Sequence, residues 1–359
     1  MNISKILIII QRSNGDVFLS SPLINTLYTY YKHPKIDLLV NDDTLAVAKT
    51  LKNINQIYTF SYKRKKTNPI KQEFEIIKNI YKKYDLSINL TSSDRSVLYA
   101  LLASKYAISA ISKEITKSWW KKLFLKKYYI FDEKKHILKN NTMSLMLLNI
   151  PNKKIIISSN CSQKAKKNIE NKLQKLKIKK FLIFHPSAQY NYKIYPTNLR
   201  NKLLRLLNSL NFPIIVTGSK NKIDTDIKSS LPKLDNIYDF IGNTDLQEYI
   251  ALNKISEGYI GMDTLNMHIA ASENKRVFAI FGPTILSVWS PWSNTIQTCA
   301  TQNSIIQTYD NITIFQAKMK CVACGLAGCD DMHGKSECLY KINPVTIFNE
   351  VKRWLIKSQ

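Results

Sequence analysis

The 359-residue chain lacks any stretch approaching the roughly 20 uninterrupted apolar residues that a membrane-spanning helix requires. No basic–apolar–small-residue leader stands ahead of its first strand-like segment, so a cytoplasmic location is expected. Acidic residues are scarce: 26 Asp and Glu stand against 53 Lys and Arg, for a formal net charge of +27. That imbalance implies an acidic partner, whether nucleic acid, an anionic membrane surface or a phosphorylated substrate. The bland alternative is an Ile-, Lys- and Asn-rich composition that spreads lysine over solvated faces. The chain also lacks a recognition-helix motif or an RNA-binding aromatic signature, which argues against nucleic acid. Missing, finally, is the glycine pattern that holds phosphate at the first strand-to-helix turn of many nucleotide-binding folds. In "KILIIIQRSNGDVFLSSPLINTL", residues 5–27, that turn ends in an acid, Asp16, which would repel a phosphate.

What is present is a foldable chain, 45% hydrophobic and 22% charged. Its length exceeds what one core usually serves and points to two domains. In the first ~160 residues, "KILIII", "KIDLLV", "INQIYTF", "DLSINL" and "YAISAI" read as strands. Between them, "PLINTLYTYY", "TLAVAKTL", "IKQEFEIIKNIYKKY" and "SVLYALLAS" carry apolar residues at helical spacing. Such alternation with continuous apolar strands means a parallel sheet covered on both faces. After a basic stretch the pattern restarts with "FLIFHP", "PIIVTGS", "IYDFIG", "EGYIGMD" and "RVFAIFGP". The fold class is therefore α/β, with two doubly wound, Rossmann-like domains at residues 1–163 and 164–359. The second carries a cysteine-rich segment at 321–338 and a C-terminal helix able to pack on either half. Ligands are expected at the carboxyl edges of the two sheets, in a cleft between the domains.

Three stretches are candidates for chemistry at those edges. In "RSNGD", Asp16 is either a helix N-cap or a catalytic acid. In "HPSAQYNYKIYP", residues 185–196, Ser187 is a donor and Lys193 a cation on a loop. In "GMDTLNMHIAA", residues 261–271, a helix starts at Thr264 or Leu265, and its free N–H groups and dipole suit an anion. Asp263 there is an N-cap or a ligand for sugar hydroxyls, and His268 faces either the site or the core. Six cysteines are present, four of them within "CVACGLAGCDDMHGKSEC". The spacing of Cys321, Cys324, Cys329 and Cys338, with His333 between, suits a structural zinc or iron knuckle, or free thiols packing a small loop.

These stretches together resemble glycosyltransferase family 9, the heptosyltransferases of lipopolysaccharide inner-core assembly. The family's S-x-G-D is matched by Ser13, Gly15 and Asp16. Its H-P-G-A and K-x-W-P are matched by His185, Pro186, Ala188, Lys193 and Pro196. Its G-x-D-S/T-G-x-x-H-x-A-A followed by F-G-P-T reads here as "GMDTLNMHIAA" and "FGPT". Ser187 and Leu265 replace family glycines and Tyr195 a tryptophan. The acid that often binds the donor ribose has only Asp224 near its place, out of register.

The resemblance implies the GT-B fold and inverting transfer of heptose from ADP-heptose, with no cofactor or divalent metal required for catalysis. It implies Asp16 as the base, with Ser13 and Gly15 beside the acceptor. Ser187, Lys193, Gly218, Asp263, Thr264, Leu265 and His268 then line the donor. The implied acceptor is Kdo-lipid A or a partial core, its acidic groups met by Lys63, Arg64, Lys65 and Lys66 in "YKRKK". "KSWWKKLFLKKYY", residues 117–129, interleaves aromatics with five lysines. On a helix, Trp119, Trp120, Lys121 and Lys122 would meet the anionic cytoplasmic face of a Gram-negative inner membrane. Another nucleotide sugar, or a protein acceptor, is the alternative within the family.

Overall fold

A computed structural model describes residues 3–151, 154–330 and 334–358. The chain divides into two compact units, Met1–Ser159 and Asn160–Gln359. The division falls four residues ahead of 163/164, just before Ser162, whose hydroxyl caps the helix Gln163–Lys175 by accepting from the Ala165 N–H.

The first unit is built on β1 (Lys5–Ile10), β2 (Lys35–Asn41), β3 (Gln56–Phe60), β4 (Leu86–Asn89), β5 (Ala107–Ile111) and β6 (Lys127–Ile130). They form one sheet in the order β3-β2-β1-β4-β5-β6, and all five neighbouring pairs are parallel. The run of isoleucine and leucine in β1 has a direct cause: Ile6 to Ile10 are all buried, because helices cover both faces of a parallel sheet. β6 departs from the sequence reading, which took residues 117–129 as one helical stretch. The helix Ile115–Phe124 stops there, and Lys127–Ile130 pairs with β5. Leu125 packs into the core at the break, and two consecutive tyrosines favour the extended chain.

The second unit holds β7 (Leu182–His185), β8 (Ile214–Val216), β9 (Ile237–Asp239), β10 (Gly258–Met262), β11 (Arg276–Ile280), β12 (Ile306–Tyr309) and β13 (Ile312–Phe315). The order is β12-β13-β11-β10-β7-β8-β9. Every pair is parallel except the hairpin β12–β13, which closes over Asp310 and Asn311, with Asp310 at φ 51°. The sequence reading missed this hairpin. A two-residue Asp-Asn turn flanked by alternating residues is its signal. Gly261 in β10 lies so close to the His185 carbonyl that any side chain there would collide with it. That contact sets the ends of β7 and β10, and so the site, in register. The C-terminal helix Pro344–Ser358 joins this unit: Ile347, Val351 and Leu355 are buried in its core, and Trp354 meets Phe278 edge-on at 5.9 Å. Full burial of each such aliphatic chain contributes about 1.5–3 kcal/mol.

Candidate active site

In the first unit the chain leaves β1 and enters the short helix Asn14–Phe18, whose N-cap is Ser13. Asp16 is therefore not the cap but the third residue of the helix, and Gly15 is the second. Its buried carboxylate is held from two sides. The Ser13 hydroxyl and N–H donate to Oδ2 at 2.6 and 3.2 Å, and Arg12 Nε lies 2.8 Å from Oδ1. The Arg12 guanidinium rests 4.6 Å above the Phe131 ring. Sequence reasoning passed over Arg12, although its place four residues before Asp16 is the spacing at which side chains meet once a helix starts.

The "YKRKK" stretch lies in a short helix, Tyr62–Thr67, with Ser61 as its N-cap. Lys63, Arg64, Lys65 and Lys66 are all exposed. Arg64 is already matched, its Nη2 lying 2.7 Å from Glu75 Oε2, and this pairing lowers the Glu75 pKa.

The helix Ile115–Phe124 divides the residues expected to face a membrane. Trp119 and Lys122 are exposed, and Ile115, Leu123 and Phe124 join them. Lys121 and Trp120 do not belong to that set. Lys121 is buried, with Nζ 2.7 Å from both Asp94 Oδ1 and the Ser92 carbonyl. Trp120 packs on the core. Residues on opposite sides of one helical turn cannot all face one surface, and the smaller Ser118 turns the Trp120–Lys121 side inward.

In the second unit, β7 ends at His185, which is buried. Asn266 Nδ2 donates to its Nε2 at 2.7 Å, which leaves Nδ1 to carry the proton and donate to Thr217 Oγ1 at 3.0 Å. Burial lowers the His185 pKa to about 4, so the ring stays neutral at physiological pH. Ser187 is buried in the following turn. Lys193 follows on a loop tied down twice: Ser336 Oγ donates to the Tyr192 carbonyl at 2.6 Å, and Tyr195 Oη to the Ile342 carbonyl at 2.5 Å. Tyr195 thus anchors the loop where the family carries tryptophan.

β10 ends at Met262, and the helix Leu265–Ser272 begins after its N-cap, Thr264. Asp263 is not the cap. Its carboxylate is almost wholly buried, 3.5 Å from Lys193 Nζ, with no hydrogen-bond donor on either oxygen among the described residues. Burial raises its pKa, while Lys193 and the nearby Thr284 hydroxyl pull it back. The hydroxyls of Thr264 and Thr284 are also buried without a well-formed hydrogen bond. Such a cluster costs stability unless something polar completes it. Leu265 stands half-buried at the helix start, where the first N–H groups have no intrahelical acceptor. His268 is buried one turn on. Gly218 follows β8, and a side chain there would strike Asp224 Oδ1 at 2.6 Å. Asp224 is buried, its Oδ2 accepting from the Ser219 N–H and hydroxyl at 2.9 and 2.6 Å.

Among the described residues the cysteine segment does not assemble a metal knuckle. Cys321, Cys324 and Cys329 are exposed and Cys338 is buried, and no three His, Cys, Asp or Glu side chains converge at ligand distances among the described residues. His333 lies outside the described residues. Cys338 is pushed up to about 12 by burial, with Cys329 and Cys324 adding to the effect.

The glycosyltransferase family 9 (heptosyltransferase) model matches residues 74–317. Lipopolysaccharide heptosyltransferase 3 of Escherichia coli K12 is 27% identical over 292 residues, spanning 79% of this chain and 84% of that protein. Among solved structures, E. coli ADP-heptose LPS heptosyltransferase II aligns with a TM-score of 0.71 at 16% identity, over 99% of both chains. E. coli heptosyltransferase WaaC with ADP gives 0.71 at 14%, over 99% of this chain and 100% of that one. Two Rossmann-like units in one chain, matching these structures end to end, make the fold GT-B. The chain is a glycosyltransferase and belongs to family 9.

Proposed function

We propose that the protein transfers heptose from ADP-heptose, with inversion and without a catalytic metal, to a sugar hydroxyl of the lipopolysaccharide or lipooligosaccharide inner core. The observation that carries this reading is the buried carboxylate of Asp16, oriented by Arg12 and Ser13 at the carboxyl edge of the first sheet. Residues 1–163 would bind the acceptor and residues 164–359 the donor. Asp16 takes the proton from the acceptor hydroxyl as that oxygen attacks the anomeric carbon and the bond to the diphosphate breaks. Ser13 and Gly15 lie at the acceptor's approach to it.

The departing diphosphate gathers negative charge. Lys193, held only loosely to Asp263, and the N–H groups at the start of the helix Leu265–Ser272 stabilise it. Asp263, whose oxygens lack donors, accepts hydrogen bonds from the donor sugar hydroxyls. Ser187, Gly218, Thr264 and His268 complete the donor pocket. The exposed Lys63, Lys65 and Lys66 attract the acidic acceptor, Kdo-lipid A or a partial core. The face of Ile115, Trp119, Lys122, Leu123 and Phe124 holds the enzyme at the cytoplasmic side of an anionic inner membrane. Nucleic acid is not a partner in this reading. Leu265, bulkier than the family glycine, favours one alternative, a different nucleotide sugar; a protein acceptor would need the same base.

The test combines Asp16→Asn with calorimetric titration of ADP, UDP and GDP, each with and without EDTA. The wild-type protein is expected to prefer ADP regardless of EDTA. Asp16→Asn is expected to keep that affinity while losing at least 10³-fold in turnover, the scale of a lost general base. Retained turnover, or lost ADP binding in the variant, overturns the assignment of the base. A preference for UDP or GDP changes the donor.

A further inference from the structure

The first unit contains three arginines, and two are already matched to carboxylates, Arg12 to Asp16 and Arg64 to Glu75. The third, Arg95, is placed differently. It is the second residue of the helix Asp94–Ala103, which follows β4 and begins at the same sheet edge as Asp16. Its guanidinium carbon lies 3.6 Å from the centroid of the buried Phe60 ring, at the end of β3, and 5.3 Å from that of Tyr62. Nη2 donates to the Tyr62 hydroxyl at 3.3 Å. Nε is buried, and among the described residues it has no hydrogen-bond partner and no carboxylate lies within ion-pair distance of the side chain. The acid beside it in sequence, Asp94, is engaged by Lys121.

The aromatic bed is fixed in advance. Tyr62 stands edge-on to Phe60, with 5.3 Å between centroids and 84° between planes. The Gln72 side chain, buried, clamps Ser61 between them by accepting from its N–H at 2.8 Å and donating to its carbonyl at 3.1 Å. A cation laid on an aromatic face, partly dehydrated and given no counter-charge, is poorly explained by stability alone. It is well explained as half of a contact that a planar anion completes, because the guanidinium fork matches a carboxylate with two parallel hydrogen bonds. Tyr62, half-exposed beside it, offers a flat surface for a sugar ring.

We propose that Arg95 and Tyr62 form a carboxylate subsite that recognises an acidic sugar of the acceptor, and that Arg95 rather than Arg64 supplies the bidentate contact. This rests on the reading of the first unit as the acceptor unit.

The test uses the full chain and Arg95→Gln, Arg95→Lys and Tyr62→Phe, with melting temperatures recorded for each. A Kdo-bearing, deacylated acceptor is supplied intact, carboxyl-reduced or dephosphorylated. Arg95→Gln is expected to raise the KM for the intact acceptor at least tenfold, equivalent to about 1.4 kcal/mol, and to leave the donor KM unchanged. Arg95→Lys recovers part of the loss, since it keeps the charge but not the fork. The penalty disappears with the carboxyl-reduced acceptor. Calorimetric titration of the same acceptor without donor reads the subsite independently of turnover. Binding that depends on Arg95 in a protein that does not transfer heptose would sink the proposed reaction and keep the subsite. Turnover with an acceptor KM indifferent to Arg95 would sink the subsite alone. A penalty that vanishes on dephosphorylation instead would assign Arg95 to phosphate, and a wild-type protein that fails to bind the acidic acceptor would overturn the proposal outright.

Discussion

Asp16 and His185 show two ways in which a buried polar side chain is put to use. Asp16 is met by Arg12 and Ser13, which supply a cation and two donors within a span of five residues. His185 gives up its charge instead, and the neutral ring bridges Thr217 and Asn266. The cost of that choice depends on pH. The folded-state pKa of about 4 lies below the ordinary value of 6.5, so between those values the unfolded chain binds the extra proton. Stability therefore falls as pH drops from about 6.5 toward 4, by up to about 3 kcal/mol from this residue. In thermal melts, His185→Gln should flatten the loss over that window; an unchanged pH profile would show that other groups govern it. Much of this was legible in the order of residues, since Ser13, Asp16, Lys193 and Asp263 stand out from their motifs. Arg12, Asn266 and Thr217 did not, because each acquires its role only when a helix start or a neighbouring strand brings it within 3 Å of its partner.

Elements reveal what residue types alone conceal. The helix Ile115–Phe124 is rich in lysine and tryptophan, yet its period sorts them: Lys121 and Trp120 turn inward, while Ile115, Trp119 and Leu123 share the outer face at four-residue spacing. Burial of a large apolar side chain contributes about 1.5–3 kcal/mol, so two of them suffice for a measurable effect on a surface. Trp119→Ser with Leu123→Ser should lower partitioning onto phosphatidylglycerol-containing vesicles at least tenfold while moving the melting temperature little, because both side chains are exposed. Equal partitioning of the double variant and the wild type would place any membrane contact elsewhere. The parallel strands were readable as apolar runs because two-sided burial leaves no alternation to misread. The strands β12 and β6 were not, since their half-exposed residues mix polar and apolar types and their identity is settled by the neighbour they pair with.

At the scale of the whole molecule, the division into two sheets was evident from the repeated strand–helix pattern, and the surplus of lysine is dispersed over both units rather than gathered at one site. The cysteine segment illustrates the limit of spacing as evidence: four cysteines in suitable order form no set of three metal-holding side chains among the described residues, with Cys321, Cys324 and Cys329 exposed and Cys338 buried. The two ties on the Lys193 loop reach across the sequence, from Tyr192 and Tyr195 to Ser336 and Ile342. Stretches about 145 residues apart are thereby tied together, and local opening of one is expected to open the other. Amide hydrogen exchange should register this directly. Tyr195→Phe, which removes one tie and keeps the ring, is expected to speed exchange in 190–196 and 336–342 together, whereas a change confined to 190–196 would show the two stretches opening independently. The cation proposed to meet the diphosphate would then owe its steadiness to a segment more than 140 residues further along the chain, and slow breathing of that segment would set how often the loop is ready to bind.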